Sequence, residues 1–211
     1  MLSPMPVQPG RANNNARGKA FYDAAYQKKG HHYRGPWTES PYREMWQAIC
    51  RLIPKGSRVL EVGCGPGQLG AMICAYTEPS SYRGFDFSKV AIDLAKKNIE
   101  PYKCAEVHIG DCRSQTPFSI RPYDCLVCTE VLEHIEDDHG IFRKARADGQ
   151  AHVIFSVPNT DSESHVRYFD ASADVVGRYQ EHFEALTVTS HRHPNKRLKH
   201  AWFVCSGKLR R

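Results

Sequence analysis

A short apolar segment followed by three alternating glycines, SRVLEVGCGPGQ at residues 57–68, decides the fold class of this chain. The β-branched and apolar residues are typical of a buried strand, and the first glycine ends it. The next stretch, GQLGAMICAY at 67–76, has the apolar spacing of a helix. Glycines at alternate positions permit a tight turn and let a ligand approach the backbone closely. The segment therefore predicts a strand–helix unit whose turn binds a ligand.

The alternation of strand and helix patterns continues through the central part of the chain. Further strand patterns are YRGFDF (82–87), AEVHIGD (105–111), YDCLVCTE (123–130) and AHVIFSVPN (151–159). Helical patterns separate them, the clearest at 88–99, where Ser88 is placed to cap the helix. Two more strand patterns, ALTVTSHRH and HAWFVCSGK, are joined by a short polar loop and predict an antiparallel hairpin. Together they predict an α/β protein with a mostly parallel sheet covered by helices on both faces.

The composition is that of a globular protein, with 211 residues, 41% hydrophobic and 25% charged. This length suits one domain with an extensive core. No apolar run approaches the roughly 20 residues that span a bilayer, and residues 1–15 lack the apolar core of a secretory signal. These features exclude a membrane-spanning protein and predict a cytoplasmic location, while the oligomeric state stays open.

Eight cysteines are scattered along the chain. Cys125 and Cys128 form a C-x-x-C, but it lies inside an apolar run and no second such pair completes a four-ligand zinc site. The cysteines are therefore predicted to be reduced core thiols.

Charge is distributed unevenly. Residues 1–58 hold ten Lys/Arg against three Asp/Glu, residues 59–184 hold twelve against twenty, and residues 185–211 hold seven against none. Basic ends around an acidic centre suit a nucleic acid or another acidic partner. At the modest net charge of +6, a solvated surface is the favoured explanation of the basic ends. Both interpretations stay open.

Acidic residues lie where the first two strand patterns end. The glycine turn is neither a dinucleotide fingerprint, because position 68 is Gln68, nor a P-loop, because no G-K-[ST] follows. Glu61, two residues before Gly63, suits a ligand with a cationic amine. Asp86 closes the second strand at the position from which a carboxylate binds both hydroxyls of a ribose, and Phe87 is placed to cover an adenine ring.

Four motifs in this order resemble the class I S-adenosylmethionine-dependent methyltransferases: E-V-G-C-G-P-G-Q, G-F-D-F-S, G-D-C and D-C-L-V-C-T-E-V-L-E-H. The resemblance covers about residues 40–208. It implies a Rossmann-like seven-stranded sheet ordered 3-2-1-4-5-7-6 with the last strand antiparallel, and S-adenosyl-L-methionine as cofactor. We divide the chain into residues 1–38, a disordered segment with an aromatic and basic flap, and residues 39–211, the methyltransferase domain.

The resemblance also implies where the cofactor lies. Its methionine part would follow Gly63, Gly65 and Gly67, with Glu61 at the amino group, Asp86 at the ribose, Asp111 and the Cys112 N–H at the adenine, and Glu130 facing the cleft. For Asp111 a turn-forming role is the alternative.

The reaction implied is direct displacement at the sulfonium methyl group. The protein mainly aligns the nucleophile, and an oxygen nucleophile gains from a nearby general base. The candidates are Glu130, Glu133, His134 and His165, of which we predict His165, His134 and Glu130 to be catalytic. The alternative for Glu133 is a position on a helix surface, and the alternative for His134 is to cap the nearby chain.

The acceptor is less well defined. E-V-L-E-H is similar to small-molecule O-methyltransferases of the ubiquinone-biosynthesis type, which favours a small-molecule or carbohydrate-like acceptor. The basic ends of the chain favour an acceptor that is anionic. The same E-x-x-E-H also resembles the metal-binding motif of small-RNA 3′-terminal 2′-O-methyltransferases, with His165 as the fourth ligand. The residues around His165 depart from that family, so no metal site is predicted. An RNA 2′-O-methyltransferase using a divalent metal and a non-catalytic cofactor-binding subunit stay as alternatives.

Aromatic residues are concentrated near the N-terminus, ahead of the first strand pattern: Phe21, Tyr22, Tyr26, Tyr33 and Trp37. These residues could form a lid over cofactor and substrate, or a packing flap without substrate contact, and the sequence does not decide between the two. Basic residues among these rings, as in KKGHHYRGPW, also suit nucleic-acid stacking, although no recognised RNA-binding module accompanies them.

Overall fold

The computed structural model describes residues 16–28, 32–120, 122–146 and 151–210. Seven strands form one sheet in the order β3-β2-β1-β4-β5-β7-β6. The strands are β1 (Arg58–Val62), β2 (Ser81–Asp86), β3 (Ala105–Ile109), β4 (Cys125–Thr129), β5 (His152–Pro158), β6 (Phe183–Arg192) and β7 (Ala201–Leu209). The predicted sheet order is confirmed.

Parallel pairing joins the first five strands, and β7 runs antiparallel to both β5 and β6. The predicted terminal hairpin is therefore present. Every residue of β4 is buried, as are all residues of β5 except His152, because helices cover both faces of the sheet. Parallel pairing brings the carboxyl ends of β1, β2 and β4 to one edge, where open sheets bind ligands.

Seven helices accompany the sheet in the described residues: α1 (Lys19–Gln27), α2 (Arg43–Leu52), α3 (Gln68–Thr77), α4 (Lys89–Ile99), α5 (Thr116–Ser119), α6 (His139–Arg146) and α7 (Ser172–Tyr179). Helices α2, α3 and α4 pack on one face of the sheet through residues such as Met45, Met72 and Ile92. Helices α5, α6 and α7 pack on the other through Phe118, Phe142 and Val175. The Ser88 hydroxyl accepts from the Ala91 N–H at 3.1 Å, so the predicted cap of α4 is present.

None of the eight cysteines forms a disulfide, and Cys125 and Cys128 are fully buried in β4. In the part of the chain that the structure describes, no helix has the length and apolarity to cross a membrane. The predicted disorder at the N-terminus falls largely on residues 1–15, outside the described residues.

Candidate active site

The turn between β1 and α3 is held in a conformation that favours glycine. Gly63, Gly65 and Gly67 have φ values of +75°, +51° and +75°. A Cβ added at Gly67 would lie 2.8 Å from the Ala95 Cβ, so α4 packs directly on this turn. The N–H groups of Gly63, Gly65 and Gly67 already donate to the Phe85 carbonyl oxygen, the Asp86 carboxylate and the Cys64 carbonyl oxygen. The glycines therefore shape the turn and its packing against β2 and α4 and do not leave these N–H groups open.

Asp86 connects the end of β2 to the glycine turn. Its carboxylate oxygens accept from the Gly65 N–H at 3.0 Å and from the Ser88 N–H at 2.8 Å. Burial raises the pKa of Asp86 to about 6, against the lowering effect of these two bonds. A buried carboxylate with lone pairs to spare is a strong hydrogen-bond acceptor for a ligand.

Glu61 is buried at the base of the turn, with 1% of its surface exposed. Its Oε2 accepts from the Tyr82 hydroxyl at 2.6 Å. Burial raises the pKa of Glu61 to about 8, so a cation that binds beside it would favour its ionised form.

Two adjoining cavities open above these residues. The larger has a volume of about 490 Å³, within the usual range for ligand sites. It is lined by predicted cofactor residues, namely Gly63, Asp86, Phe87, Asp111, Cys112 and Glu130. The smaller, of about 90 Å³, is lined by residues that include Glu61, Gly63, Gly65 and Glu130. Glu61 and Asp86 thus lie on different cavities that share Gly63 and Glu130.

Asp111 is not a free acceptor in this structure. Arg113 donates to both carboxylate oxygens, with Nε 2.9 Å from Oδ1 and Nη2 2.6 Å from Oδ2. The Asp111 Oδ1 also accepts from the Arg113 backbone N–H at 2.9 Å, which is the turn-forming contact. Arg113 holds the pKa of Asp111 below its usual range. An adenine amino group would share this carboxylate with Arg113.

Glu130 lies directly after β4 with a φ of +54°, a left-handed conformation that is strained for a residue with a side chain. Its Oε1 accepts from the Ser156 hydroxyl at 2.9 Å, and its Oε2 accepts from the Trp202 indole N–H at 3.1 Å. Burial raises the pKa of Glu130 to about 7. Neighbouring strands β5 and β7 therefore hold a carboxylate that exchanges a proton near neutral pH.

His134 and His165 lie side by side, with ring centroids 4.9 Å apart. The Nδ1 atom of His134 lies 2.9 Å from the Ser164 carbonyl oxygen. The Nδ1 atom of His165 lies 3.0 Å from the Thr160 carbonyl oxygen. A carbonyl oxygen only accepts, so each Nδ1 carries the proton and each Nε2 keeps a lone pair. Burial lowers the pKa of both rings, that of His134 to about 4. Only His134 is among the residues that line the larger cavity.

Glu133 completes this cluster. It is fully buried, and both carboxylate oxygens lack a hydrogen-bond partner among the described residues. One oxygen lies 3.7 Å from His134 Nε2. Ligand atoms of Glu133, His134 and His165 lie within 4.8 Å of one another, so the three residues could hold a metal ion.

Arg167 is a residue that the sequence patterns did not assign. Its guanidinium donates to the carbonyl oxygens of Leu132, Ile135 and Glu136, the last at 2.9 Å, and so fixes the loop that carries His134. The available signal in the sequence was an arginine between apolar neighbours in H-V-R-Y-F. In the structure this arginine is buried, with 8% of its surface exposed. Arg167 positions the two histidine loops and does not itself line a cavity.

The N-terminal segment covers the cavities. The Tyr22 ring lies 5.4 Å from Phe87 and 5.7 Å from His134, and Tyr26 lines both cavities. Gln68 Nε2 donates to the His32 carbonyl oxygen at 3.0 Å and to the Gly35 carbonyl oxygen, which ties this segment to the glycine turn. The aromatic flap thus contacts predicted cofactor and catalytic residues.

Comparison with known proteins agrees with this arrangement. The family described as "Methyltransferase domain" matches residues 31–208. A ubiquinone biosynthesis O-methyltransferase of Alkalilimnicola ehrlichii is 29% identical over 132 residues, which are 60% of this chain and 52% of that protein. The chain therefore spans about half the length of this curated relative.

Solved methyltransferase structures share the fold. The N-methyltransferase NodS of Bradyrhizobium japonicum, in complex with S-adenosyl-L-homocysteine, superposes with a TM-score of 0.68 at 16% identity over 92% of this chain and 98% of that one. The magnesium protoporphyrin IX methyltransferase of Synechocystis, with bound S-adenosylmethionine, gives a TM-score of 0.64 at 13% identity over 92% and 99%. With the family match over residues 31–208, the chain belongs to the class I S-adenosylmethionine-dependent methyltransferases.

Proposed function

We propose that this chain transfers the methyl group of S-adenosylmethionine to an oxygen atom of a small, anionic or carbohydrate-like acceptor. The observation that carries the proposal is the cavity of about 490 Å³ in which Asp86, Phe87, Glu130 and His134 meet. The similarity to a ubiquinone biosynthesis O-methyltransferase supports oxygen as the nucleophile. Cofactor residues and potential bases line one space, which is the arrangement that methyl displacement requires.

In this mechanism the glycine turn, Glu61 and Asp86 would hold the cofactor. The cofactor would supply the methyl group to the acceptor oxygen and leave as S-adenosylhomocysteine. Glu130 and His134 are the groups that can take the acceptor proton. The Glu130 pKa of about 7 matches general-base work at neutral pH, whereas burial lowers the pKa of His134 to about 4 and makes its Nε2 the weaker base. The aromatic flap would exclude water from the cavity.

The proposal is tested by incubating the protein with S-adenosylmethionine that carries a tritiated methyl group. Pools of hydroxylated small molecules and of RNA serve as candidate acceptors, and the label transferred to each pool is measured. We expect label in the small-molecule fraction, and about a 100-fold slower transfer for Glu130→Gln because a positioned base is lost. His152→Gln, on β5 away from the cavities, is the matched control and should retain activity. Normal cofactor binding without transfer to either pool would instead support the non-catalytic subunit.

The second candidate is an RNA 2′-O-methyltransferase with a divalent metal, and the buried unpartnered carboxylate of Glu133 favours it. Carboxylate and imidazole are chemically suitable ligands for Mg²⁺ or Mn²⁺, and hydrogen bonds from Nδ1 to carbonyl oxygens orient His134 and His165 as ligands usually are. Glu133, His134 and His165 would hold the ion. Glu130 is not part of this cluster, and its two oxygens accept hydrogen bonds from Ser156 and Trp202. A bound divalent ion would act there as a Lewis acid on the acceptor oxygen.

This second function predicts that Mn²⁺ at about 100 times its Kd raises the melting temperature by roughly 5–10 °C, and that Glu133→Gln abolishes the rise. Glu181→Gln serves as control, because Glu181 belongs to a second cluster of potential metal ligands, with His139 and His182. This variant should keep the rise if the ion binds at Glu133. Transfer to RNA should also need the ion. Full RNA methylation in excess chelator would exclude this candidate.

A further inference from the structure

The β6–β7 hairpin carries a basic tip that the proposed mechanism does not use. Residues 185–211 contain seven Lys/Arg and no Asp/Glu. Four of these cations are at the exposed tip: Arg192, Lys196, Arg197 and Lys199. An ion pair between Lys208 and Glu184, at 3.8 Å, lies at the opposite end of the hairpin. The positive potential is therefore concentrated at the tip.

The tip lies on the same edge of the sheet as the cavities. Trp202 of β7 pairs with Pro158, the last residue of β5, so the turn begins where β5 ends. Asn159 fixes this position: its Oδ1 accepts from the Ala201 N–H at 2.6 Å and its Nδ2 donates to the Lys199 carbonyl oxygen at 3.2 Å. The cations are therefore held at the edge where the parallel strands end.

Planar rings connect the tip to Glu130. The Trp202 indole donates to Glu130, the His200 ring lies 4.6 Å from Trp202, and the His193 ring stacks on His200 at 5.8 Å. His200 Nε2 is buried without a hydrogen-bond partner among the described residues. Trp202 is 2% exposed, so only the half-buried rings of His193 and His200 can contact a ligand. Rings beside cations are found where proteins bind phosphate groups attached to planar or sugar-like compounds.

We infer that this hairpin tip binds a phosphate-bearing part of the methyl acceptor while the reacting oxygen of the acceptor lies beside Glu130. The inference rests on the proposed function and narrows its acceptor to phosphorylated compounds. Four cations within eight residues suit more than one negative charge, as in a small compound that carries a diphosphate group.

Binding of a fluorescein-labelled oligouridylate of ten nucleotides, followed by fluorescence anisotropy at about 50 mM salt, tests this surface. The triple variant Lys196→Gln, Arg197→Gln, Lys199→Gln should bind tenfold or more weakly, with a salt slope lower by about 2. The matched control is Lys96→Gln, Lys97→Gln, Lys103→Gln, which removes the same charge on and after α4 and should bind as the wild type does.

Displacement by free pyrophosphate would uphold the inference for a small phosphorylated acceptor, and resistance to it would overturn the inference in favour of a polymer such as RNA. Three other results would also overturn the inference: the hairpin variant binds the oligonucleotide as tightly as the wild type does, both triple variants are weakened equally, or the wild type does not bind. S-adenosylhomocysteine affinity, measured by calorimetry, should be the same in all three proteins. If the wild type does not bind S-adenosylhomocysteine, the proposed function is contradicted but the phosphate-binding surface is not. A failure of the proposed function can therefore be distinguished from a failure of this inference.

Discussion

Replacing Asp86 with alanine is expected to weaken S-adenosylmethionine binding by 100-fold or more. The substitution removes the carboxylate that would accept from both ribose hydroxyls, and hydrogen bonds to a charged group are worth about 1.5–3 kcal/mol each. It also removes the acceptor of the Gly65 and Ser88 N–H groups, so the glycine turn loses its link to β2. A loss of about 3 kcal/mol corresponds to the expected factor.

Isothermal titration calorimetry with S-adenosylhomocysteine measures this change. Asp93→Ala is the matched control, because Asp93 is an exposed acid on α4 whose partner is Lys89 at 2.6 Å. The control should bind with wild-type affinity. An Asp86→Ala protein that is folded and also binds with wild-type affinity would refute the assignment of Asp86 to the ribose.

The second large effect is expected at Gly67. Alanine there would adopt a φ of +75°, which costs about 1–2 kcal/mol, and its Cβ would lie 2.8 Å from the Ala95 Cβ and 3.0 Å from its Cα. The backbone contact cannot be relieved by a side-chain rotation, so α4 must move. We expect the free energy of unfolding to fall by about 3 kcal/mol and the melting temperature by roughly 6–12 °C.

Thermal denaturation of Gly177→Ala provides the comparison. Gly177 lies within α7, and a Cβ there meets nothing within 4 Å, so alanine should be neutral or stabilising by up to about 1 kcal/mol. Because the Gly67 backbone is also part of the proposed cofactor site, Gly67→Ala should weaken S-adenosylhomocysteine binding as well. A Gly67→Ala protein as stable as Gly177→Ala would contradict the close packing of α4 on the turn.

The sheet was predictable because its signals are local. Apolar runs at 57–63 and 123–130, glycines at their ends and the Ser88 cap each act within a few residues, and the structure contains β1, β4 and α4 close to the expected bounds. The strand order came with the resemblance, since spacing alone does not distinguish 3-2-1-4-5-7-6 from other orders. Parallel pairing then explains why Glu61, Asp86 and Glu130 meet at one edge.

The site was less predictable because its details depend on contacts between distant residues. No local pattern indicates that Trp202 donates to Glu130 across 72 residues, or that Arg167 fixes the loop of His134. The pairing of Asp111 with Arg113 is local, yet its consequence depends on whether an adenine competes for the carboxylate. His165 was expected beside the substrate, and its ring lies next to His134 without being among the residues that line either cavity.

A crystal structure with S-adenosylhomocysteine would show whether the cofactor occupies the space between the glycine turn and Asp86. We expect the ribose hydroxyls within about 2.6–3.2 Å of the Asp86 carboxylate, the adenine against Phe87 and the amino group near Glu61. A ligand bound elsewhere, or bound here with its ribose away from Asp86, would refute the proposed cofactor site.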